Sequence, residues 1–245
     1  MSENNDVHAQ VLSGVLSNVK VKNTTADIFF RAGDTKGMAA TGVIAAAMGL
    51  SGAAAGMAAM SMDEMKEPVC QVSFDIDGKH VEALLWNWPF KDGDEVQTVV
   101  EPAPSGDYIG FAVLDPKDQV IVLYPHVSAG GKAHWKGVRK FAALVIGGLN
   151  ILILAFFLAI YILVEDVEYK TAIVGALGGG AGILVIFGWI SYNIGNRFTP
   201  FIEMAEPIFT LLGWKDVKNI DLRKTTKAKK KPTDPPAMGD SYFRY

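Results

Sequence analysis

The chain has 245 residues, of which 50% are hydrophobic and 20% are charged, and its formal net charge is −3. That apolar content excludes an intrinsically disordered protein, which carries far fewer apolar residues. A single cysteine, Cys70, excludes an internal disulfide, so the composition does not call for an oxidising compartment.

The first 36 residues are predicted to contain two β-strands. Residues 11–22 and 25–31 are rich in valine, leucine and isoleucine and alternate in part between apolar and polar residues. Such alternation is typical of a strand with one buried face. We expect no cleavable signal sequence before them, because the first 20 residues lack a continuous apolar core.

Residues 37–62 form an uncharged segment with 10 alanines, 5 glycines and 5 methionines. Alanine and glycine contribute little free energy of transfer into lipid, so length alone does not establish a membrane span. A single crossing would also move a group of basic residues out of the cell, against the positive-inside rule. We expect a helical insertion, re-entrant or interfacial, that begins and ends on one side. A true crossing and a helix buried in protein are the alternatives.

Glycines recur in this segment at spacings of seven and four residues, which gives a helix a stripe of small side chains. Such a stripe lets a second helix approach closely, and methionines make the surface adaptable. The alternative is low-complexity filler between two strands. The candidate helix-packing or partner-binding residues here are Gly42, Gly49, Gly52 and Gly56.

Residues 63–130 alternate in short runs separated by turn sequences such as Asp77-Gly78 and Asp92-Gly93. With the N-terminal strands they give about seven short strands at a spacing of about ten residues. This predicts a small antiparallel β-barrel or sandwich, OB-like or SH3-like, formed by residues 1–36 and 63–130. Since strands stand on both sides of residues 37–62, that segment is expected to be an insertion in a loop of this cytoplasmic domain.

The same residues, 63–130, carry 13 acidic and 4 basic side chains, a net charge of −9. Such a surface is typical of a soluble, solvated face, and the alternative is a docking surface for a basic partner. The sign argues against nucleic acid as a partner, because a phosphate backbone attracts positive charge.

Residues 141–164 and 171–192 are two long uncharged apolar segments. At a rise of 1.5 Å per residue each is about 33–36 Å long, enough to cross about 30 Å of hydrocarbon. Two such segments, separated by six residues, predict a transmembrane hairpin over residues 131–197 rather than a pair of buried core helices.

Basic residues flank the hairpin on both sides, whereas the connecting residues 165–170 hold three acids and one base. The positive-inside rule therefore predicts that both termini face the cytoplasm, in a bacterium at the inner membrane. Basic and aromatic side chains near the ends of the segments are expected to anchor it at the lipid headgroups. They are Lys132, Trp135, Lys136, Arg139, Lys140, Trp189 and Tyr192.

Small residues in the second segment form two pairs at i, i+4 spacing, Gly175/Gly179 and Gly178/Gly182. Either the first segment packs against them, or they mediate oligomerisation or docking of a foreign helix. Asn150 is open to the same two interpretations, an interhelical hydrogen bond or a binding determinant.

Residues 198–214 are apolar, contain two prolines and are predicted to form an interfacial helix, broken at Pro207, with Trp214 as a further membrane anchor. Residues 215–245 are rich in lysine and proline and are predicted to be a basic disordered tail whose lysines meet anionic lipid. The elements together predict an α+β membrane protein.

No catalytic, cofactor-binding or metal-binding motif is present in the sequence, so we expect neither an enzyme nor a cofactor or metal ion. The most motif-like patch runs from Tyr124-Pro125-His126 to His134. Either histidine would be a general base in a catalytic interpretation, but no nucleophile lies near them in the sequence. A junction between the β domain and the first membrane helix fits this patch better.

Seven short stretches of the sequence form a recognisable combination. They are ADIFF at 26–30, GMA at 37–39, SGAA at 51–54, FDIDGK at 74–79, PFKDGD at 89–94, YPH at 124–126 and GKAH at 131–134. This combination resembles a family of bacterial membrane proteins associated with type VI secretion clusters, and the resemblance covers residues 11–195 and leaves the tail unmatched. Members of that family are labelled as effectors, and some relatives are immunity proteins paired with membrane-depolarising effectors.

The resemblance and the hairpin together lead to three hypotheses. The first is an integral inner-membrane immunity protein that neutralises a pore-forming effector by helix packing in the bilayer. The second is the pore-forming effector itself, and the third is a membrane-anchored scaffold or regulator with a cytoplasmic β domain. The expected partners are membrane lipid and a cognate protein, with a homo-oligomer as a further possibility and no nucleic acid.

Overall fold

The computed structural model describes residues 9–27, 66–164 and 167–245. The chain divides into two compact units, which we call the β lobe (Met1–Gly131 and Thr199–Tyr245) and the helical hairpin (Lys132–Phe198). The predicted insertion at residues 37–62, with its four candidate glycines, lies outside the described residues.

A closed five-stranded barrel forms the body of the β lobe, as the alternating sequence pattern predicts. The strand order around the barrel is β1-β2-β3-β5-β4 and back to β1. Neighbouring strands are antiparallel except for β3 and β5, whose parallel pair closes the barrel. The expectation of purely antiparallel pairing is therefore wrong at this closure. The strands are β1 Gln10–Asp27, β2 Lys66–Ile76, β3 Lys79–Leu85, β4 Glu95–Pro102 and β5 Tyr108–Asp115.

Strand β1 is one strand of 18 residues where the sequence predicts two. Its first part pairs with β4 and its second part with β2, and the register shifts between Ser17 and Lys20. Asn18 at this bulge has a φ of 53°, and a bulge bends a strand, which lets β1 serve two neighbours. Asp27 stands opposite Lys66. The segment between them therefore joins two paired strands, and the helical insertion at residues 37–62 stays a prediction.

Alternate side chains of the strands fill the barrel, because successive residues of a strand point to opposite faces. The turn at Asp77-Gly78 has positive φ at both residues, 49° and 73°, as a tight hairpin requires. Large side chains completely buried inside include Leu16, Phe74, Ile76 and Leu85.

The remaining elements follow the barrel in sequence. The short strand β6 pairs with β5, and the last strand, β7, pairs with β6. They are β6 Val120–Leu123, α1 Gly131–Leu163, α2 Tyr169–Arg197, α3 Thr199–Leu211, a 3-10 turn at Val217–Asn219, α4 Leu222–Lys229 and β7 Phe243–Arg244.

Helix α3 differs from the predicted interfacial helix in two respects. It continues through Pro207 instead of breaking there. Its apolar side chains, including Phe201, Ile208 and Phe209, are buried in protein. The apolar pattern correctly predicts a helix, but the apolar face of this helix packs within the β lobe instead of against lipid.

Residues 215–245 are folded, so the prediction of a disordered tail is wrong. Leu222 and Phe243 are buried, and the backbone of β7 extends the sheet beyond β6. The Arg244 guanidinium lies 2.6 Å from the carboxylate of Asp234 and also donates to the carbonyl of Asp118. A few apolar residues among many lysines suffice here, because the sheet already offers them an apolar surface.

Replacing Phe243 by alanine tests this correction. Removing a completely buried phenylalanine should lower the free energy of unfolding of the lobe by about 3–5 kcal/mol. Denaturant titration followed by tryptophan fluorescence measures it, since Trp86 lies 6.5 Å from the Phe243 ring. Lys231→Ala, on an exposed side chain of the same segment, is the control and should cost less than about 0.5 kcal/mol. Equal effects would mean that the segment is not packed.

Candidate functional site

The helical hairpin exposes most of its apolar surface. Both helices are long and apolar enough to cross a membrane, and they contain nearly all of the two predicted segments. In the most apolar 18-residue stretch of α1 no residue is buried, and in that of α2 only 6% are. Leu163, for example, is 79% exposed. Since a core helix of a soluble protein is mostly buried, this surface calls for a partner or an apolar solvent.

Three glycines of α2 let it approach α1 closely. A Cβ atom at Gly175 would overlap the ring of Phe157, and one at Gly179 would overlap the side chain of Ile153. At the next residue, a Cβ at Gly180 would lie 2.5 Å from the amide oxygen of Asn150. Any larger side chain at these positions would push the two helices apart.

Asn150 takes part in this contact in a way that the sequence leaves open. Its amide nitrogen donates to the carbonyl oxygen of Ile146 in its own helix, at 2.9 Å, and its amide oxygen faces Gly180. The bond at the amide nitrogen lies within α1, so the choice between an interhelical bond and a partner-binding role stays open.

Aromatic residues join the two helices at the other end of the hairpin. Trp135 and Tyr192 stack with their ring centroids 5.8 Å apart. A Cβ at Gly195 would lie 2.9 Å from the Trp135 ring, and Nε2 of His134 lies 3.0 Å from the Gly195 carbonyl oxygen. His134 and Trp135 therefore have a packing role inside the hairpin.

The second pair of small residues faces away from α1. A Cβ added at Gly178 or Gly182 would meet no atom of the described residues within 4 Å. The two predicted glycine pairs are thus separated: Gly175 and Gly179 pack inside the hairpin, whereas Gly178 and Gly182 leave an open face. We call Gly178 and Gly182 the open glycine face.

The predicted membrane anchors fall into two groups. In the hairpin, Lys132, Lys136 and Lys140 are exposed along the first turns of α1, and Trp189 is 67% exposed. Arg139 is exposed as well, and Tyr192 stacks as described; the anchoring role of these residues stays a prediction. Trp214 is different, because its ring stacks on Phe209 at 5.2 Å and contacts Tyr245 at 5.0 Å within the β lobe. It serves the packing of the lobe.

His126, in the patch before α1, joins distant parts of the β lobe. Its backbone has a φ of 63°, and its Nε2 lies 2.9 and 3.0 Å from the two carboxylate oxygens of Glu67. Its ring contacts the rings of Trp86 and Phe201 at 4.9 and 5.2 Å. Burial lowers the pKa of His126, and the carboxylate of Glu67 acts in the opposite direction. The sequence does not reveal Glu67, because this partner lies 59 residues away.

Glu101 on β4 is a buried glutamate. It is 3% exposed, and among the described residues its Oε2 has no hydrogen-bond partner. Burial raises its pKa from 4.5 to about 7. The hydrophobic pattern of the strand does not predict this, because glutamate in a strand ordinarily faces solvent.

Metal ligands do not cluster in residues 9–27, 66–164 and 167–245, where no three histidine, cysteine or acidic side chains could hold an ion together. No family model, curated protein or solved structure matches the chain. The function is therefore argued from the geometry of the hairpin and the lobe.

The two glycine pairs can be distinguished by the same substitution. Gly175→Leu would place a side chain into the Phe157 ring and should destabilise the hairpin by about 1–3 kcal/mol. Gly178→Leu enters open space and should leave stability unchanged or slightly raised, since leucine favours helix over glycine. Detergent-to-SDS titration measures both. Equal losses would show that the helices do not pack through Gly175.

Glu101→Gln tests the buried carboxyl group. The pKa of Glu101 is about 7 in the folded chain, whereas its ordinary value is 4.5. The folded state therefore binds the proton more tightly than the unfolded state does, and the free energy of unfolding falls as the pH rises from 4.5 to 7. The variant, which cannot ionise, should therefore be more stable than wild type by roughly 2–3 kcal/mol at about pH 8, and equal to it at about pH 4.5.

Denaturant titration at the two pH values measures this difference. Glu82→Gln, at an exposed position of β3, is the control and should not change the pH dependence of stability. A constant difference between Glu101→Gln and wild type across this range would contradict a buried, proton-binding Glu101.

Proposed function

We propose that the chain is an integral inner-membrane immunity protein that neutralises a pore-forming type VI secretion effector by helix packing in the bilayer. The observation that carries the proposal is the open glycine face beside an internally packed one. In this proposal the hairpin holds itself together through Gly175 and Gly179 and presents Gly178 and Gly182 to an incoming helix.

Membrane residence is supported by the outward-facing apolar side chains of both helices. In water this surface would aggregate, whereas in hydrocarbon it is solvated and all backbone groups are satisfied within each helix. The basic side chains that precede and follow the hairpin favour a cytoplasmic location of the β lobe and of both termini.

Helix packing is supported by the physics of association in lipid. Between apolar helices in hydrocarbon the hydrophobic effect contributes little, so affinity depends on van der Waals contact at short range. Two small residues one turn apart allow that close approach, and a helix seated there would be withdrawn from assembly into a pore.

For the lobe, we propose the OB kind of barrel, because its strands β3 and β5 close the barrel as a parallel pair.

Complementation of a deletion strain tests the proposal. Cells that lack the gene should be killed in contact with wild-type siblings, and the wild-type gene should restore survival. The double variant Gly178→Leu/Gly182→Leu should fail to protect, because leucine at both positions keeps a second helix at a distance. Competition assays measure survival as the ratio of the two strains.

The matched control is Gly188→Leu, which also adds a side chain into open space on α2 but lies outside the open glycine face. It should protect as wild type does, and all variants should remain in the membrane fraction after alkaline extraction. Survival of the deletion strain would overturn the immunity role. A fall of membrane potential on production of the chain alone would favour the effector alternative. If the deletion strain survives and the membrane potential does not fall, the scaffold or regulator hypothesis remains.

A further inference from the structure

A strongly basic stretch of the β lobe is folded into a fixed surface. Residues 215–231 contain eight basic and two acidic side chains, a net charge of +6. Within them α4 buries Leu222 and Thr226, so its remaining side chains stand outward. The opposite charge balance, −9, belongs to residues 63–130. The chain therefore separates its charges between two stretches.

Hydrogen bonds hold this helix in place. The Thr226 hydroxyl donates to the Leu222 carbonyl at 2.7 Å and accepts from the Arg244 amide at 2.9 Å. At the other end the carboxylate of Asp221 accepts from the Lys224 amide at 3.0 Å and caps the helix. The lysines of α4, among them Lys227, are therefore carried on a rigid support and lose little backbone entropy when they bind a ligand.

The lysines of this stretch differ in their partners. Lys224 pairs with Asp221 at 2.8 Å, and Lys229 and Lys230 donate to backbone carbonyls. Lys231 lies beside the carboxylate of Asp234, which accepts from its amide at 2.7 Å. In the part of the chain that the structure describes, no carboxylate pairs with Lys215, Lys218 or Lys227, and all three are exposed. We call these three side chains the basic face. Their charges are available to a ligand outside the lobe.

Backbone contacts place this surface beside the start of α1. The amide of Gly130 donates to the Ile220 carbonyl at 3.0 Å, and the amide of Leu222 donates to the Ser128 carbonyl at 2.9 Å. A Cβ at Gly130 would overlap the Val217 carbonyl oxygen. The chain thus enters α1, at Gly131, directly next to the segment that bears the basic face.

Helix geometry then limits the distance to lipid. From Gly131 to Phe141, where the predicted apolar span begins, α1 rises by about 15 Å at 1.5 Å per residue. That distance is comparable to a headgroup layer plus one Debye length of about 8 Å at physiological salt. With the hairpin in a membrane, this length of helix is the upper limit on the distance between Gly131 and the start of the apolar span.

We propose that the basic face binds anionic phospholipid headgroups of the membrane that holds the hairpin. The inference rests on the membrane residence in the proposed function, but not on immunity. Lipid is favoured over nucleic acid because the face adjoins the entry to α1 and because the chain carries a large acidic stretch, which repels a long polyanion.

Lysine labelling on the full chain in nanodiscs tests the proposal. Acetylation of each lysine is followed by mass spectrometry in discs of phosphatidylcholine and in discs of equimolar phosphatidylcholine and phosphatidylglycerol. Labelling of Lys215, Lys218 and Lys227 should be about threefold or more slower in the anionic discs, and about 0.5 M salt should remove the difference. Lys91 and Lys117, exposed in the acidic stretch, are internal controls and should not change.

The outcomes separate the two proposals. Failure of the chain to enter discs would overturn membrane residence and the proposed function with it. Entry with equal labelling of the basic face in both discs would overturn only the lipid inference. Protection by a single-stranded RNA of about 20 nucleotides, without protection by phosphatidylglycerol, would assign the surface to nucleic acid instead.

Discussion

The close approach of α1 and α2 determines what the hairpin can present to its surroundings. Gly175 and Gly179 lie against Phe157 and Ile153, so the helices interlock by shape. Van der Waals packing of this kind does not depend on the hydrophobic effect, so it also stabilises the helix pair in an apolar solvent. Once the pair is locked in this way, the large apolar side chains and Gly178 can only face outward. The interhelical packing thus defines the exposed surface on which the functional proposal depends.

The β lobe is interrupted twice by segments of different character. The first interruption lies between Asp27 and Lys66, which are paired in neighbouring strands. The second is the hairpin, whose flanking residues both belong to the lobe: the amide of Gly131 donates to the carboxylate of Glu206 in α3 at 2.9 Å. Because both interruptions begin and end on one folded body, the lobe fixes the ends of each segment.

Several features could be predicted from the sequence because they depend on neighbours in the chain. The hairpin follows from the length of two uncharged runs, and the turn at Asp77-Gly78 follows from residues that accept positive φ. The predictions that are wrong were made from composition alone, which does not show which remote residues come into contact. Lysines and prolines suggested a disordered tail, yet Phe243 pairs with β6, and Trp214 stacks on Phe209 instead of anchoring in lipid. These contacts depend on surfaces formed by remote strands.

The sequence by itself determined the existence of two apolar helices, the strand-rich body and the separation of charges, because hydrophobicity, period and charge are local properties. Only the tertiary structure decided which glycine pair is used inside the hairpin, since that depends on the rotation of α2 about its axis when it meets α1. It also decided that Glu101 is buried and that Glu67 meets His126, since burial and pairing at long range depend on how remote segments come together.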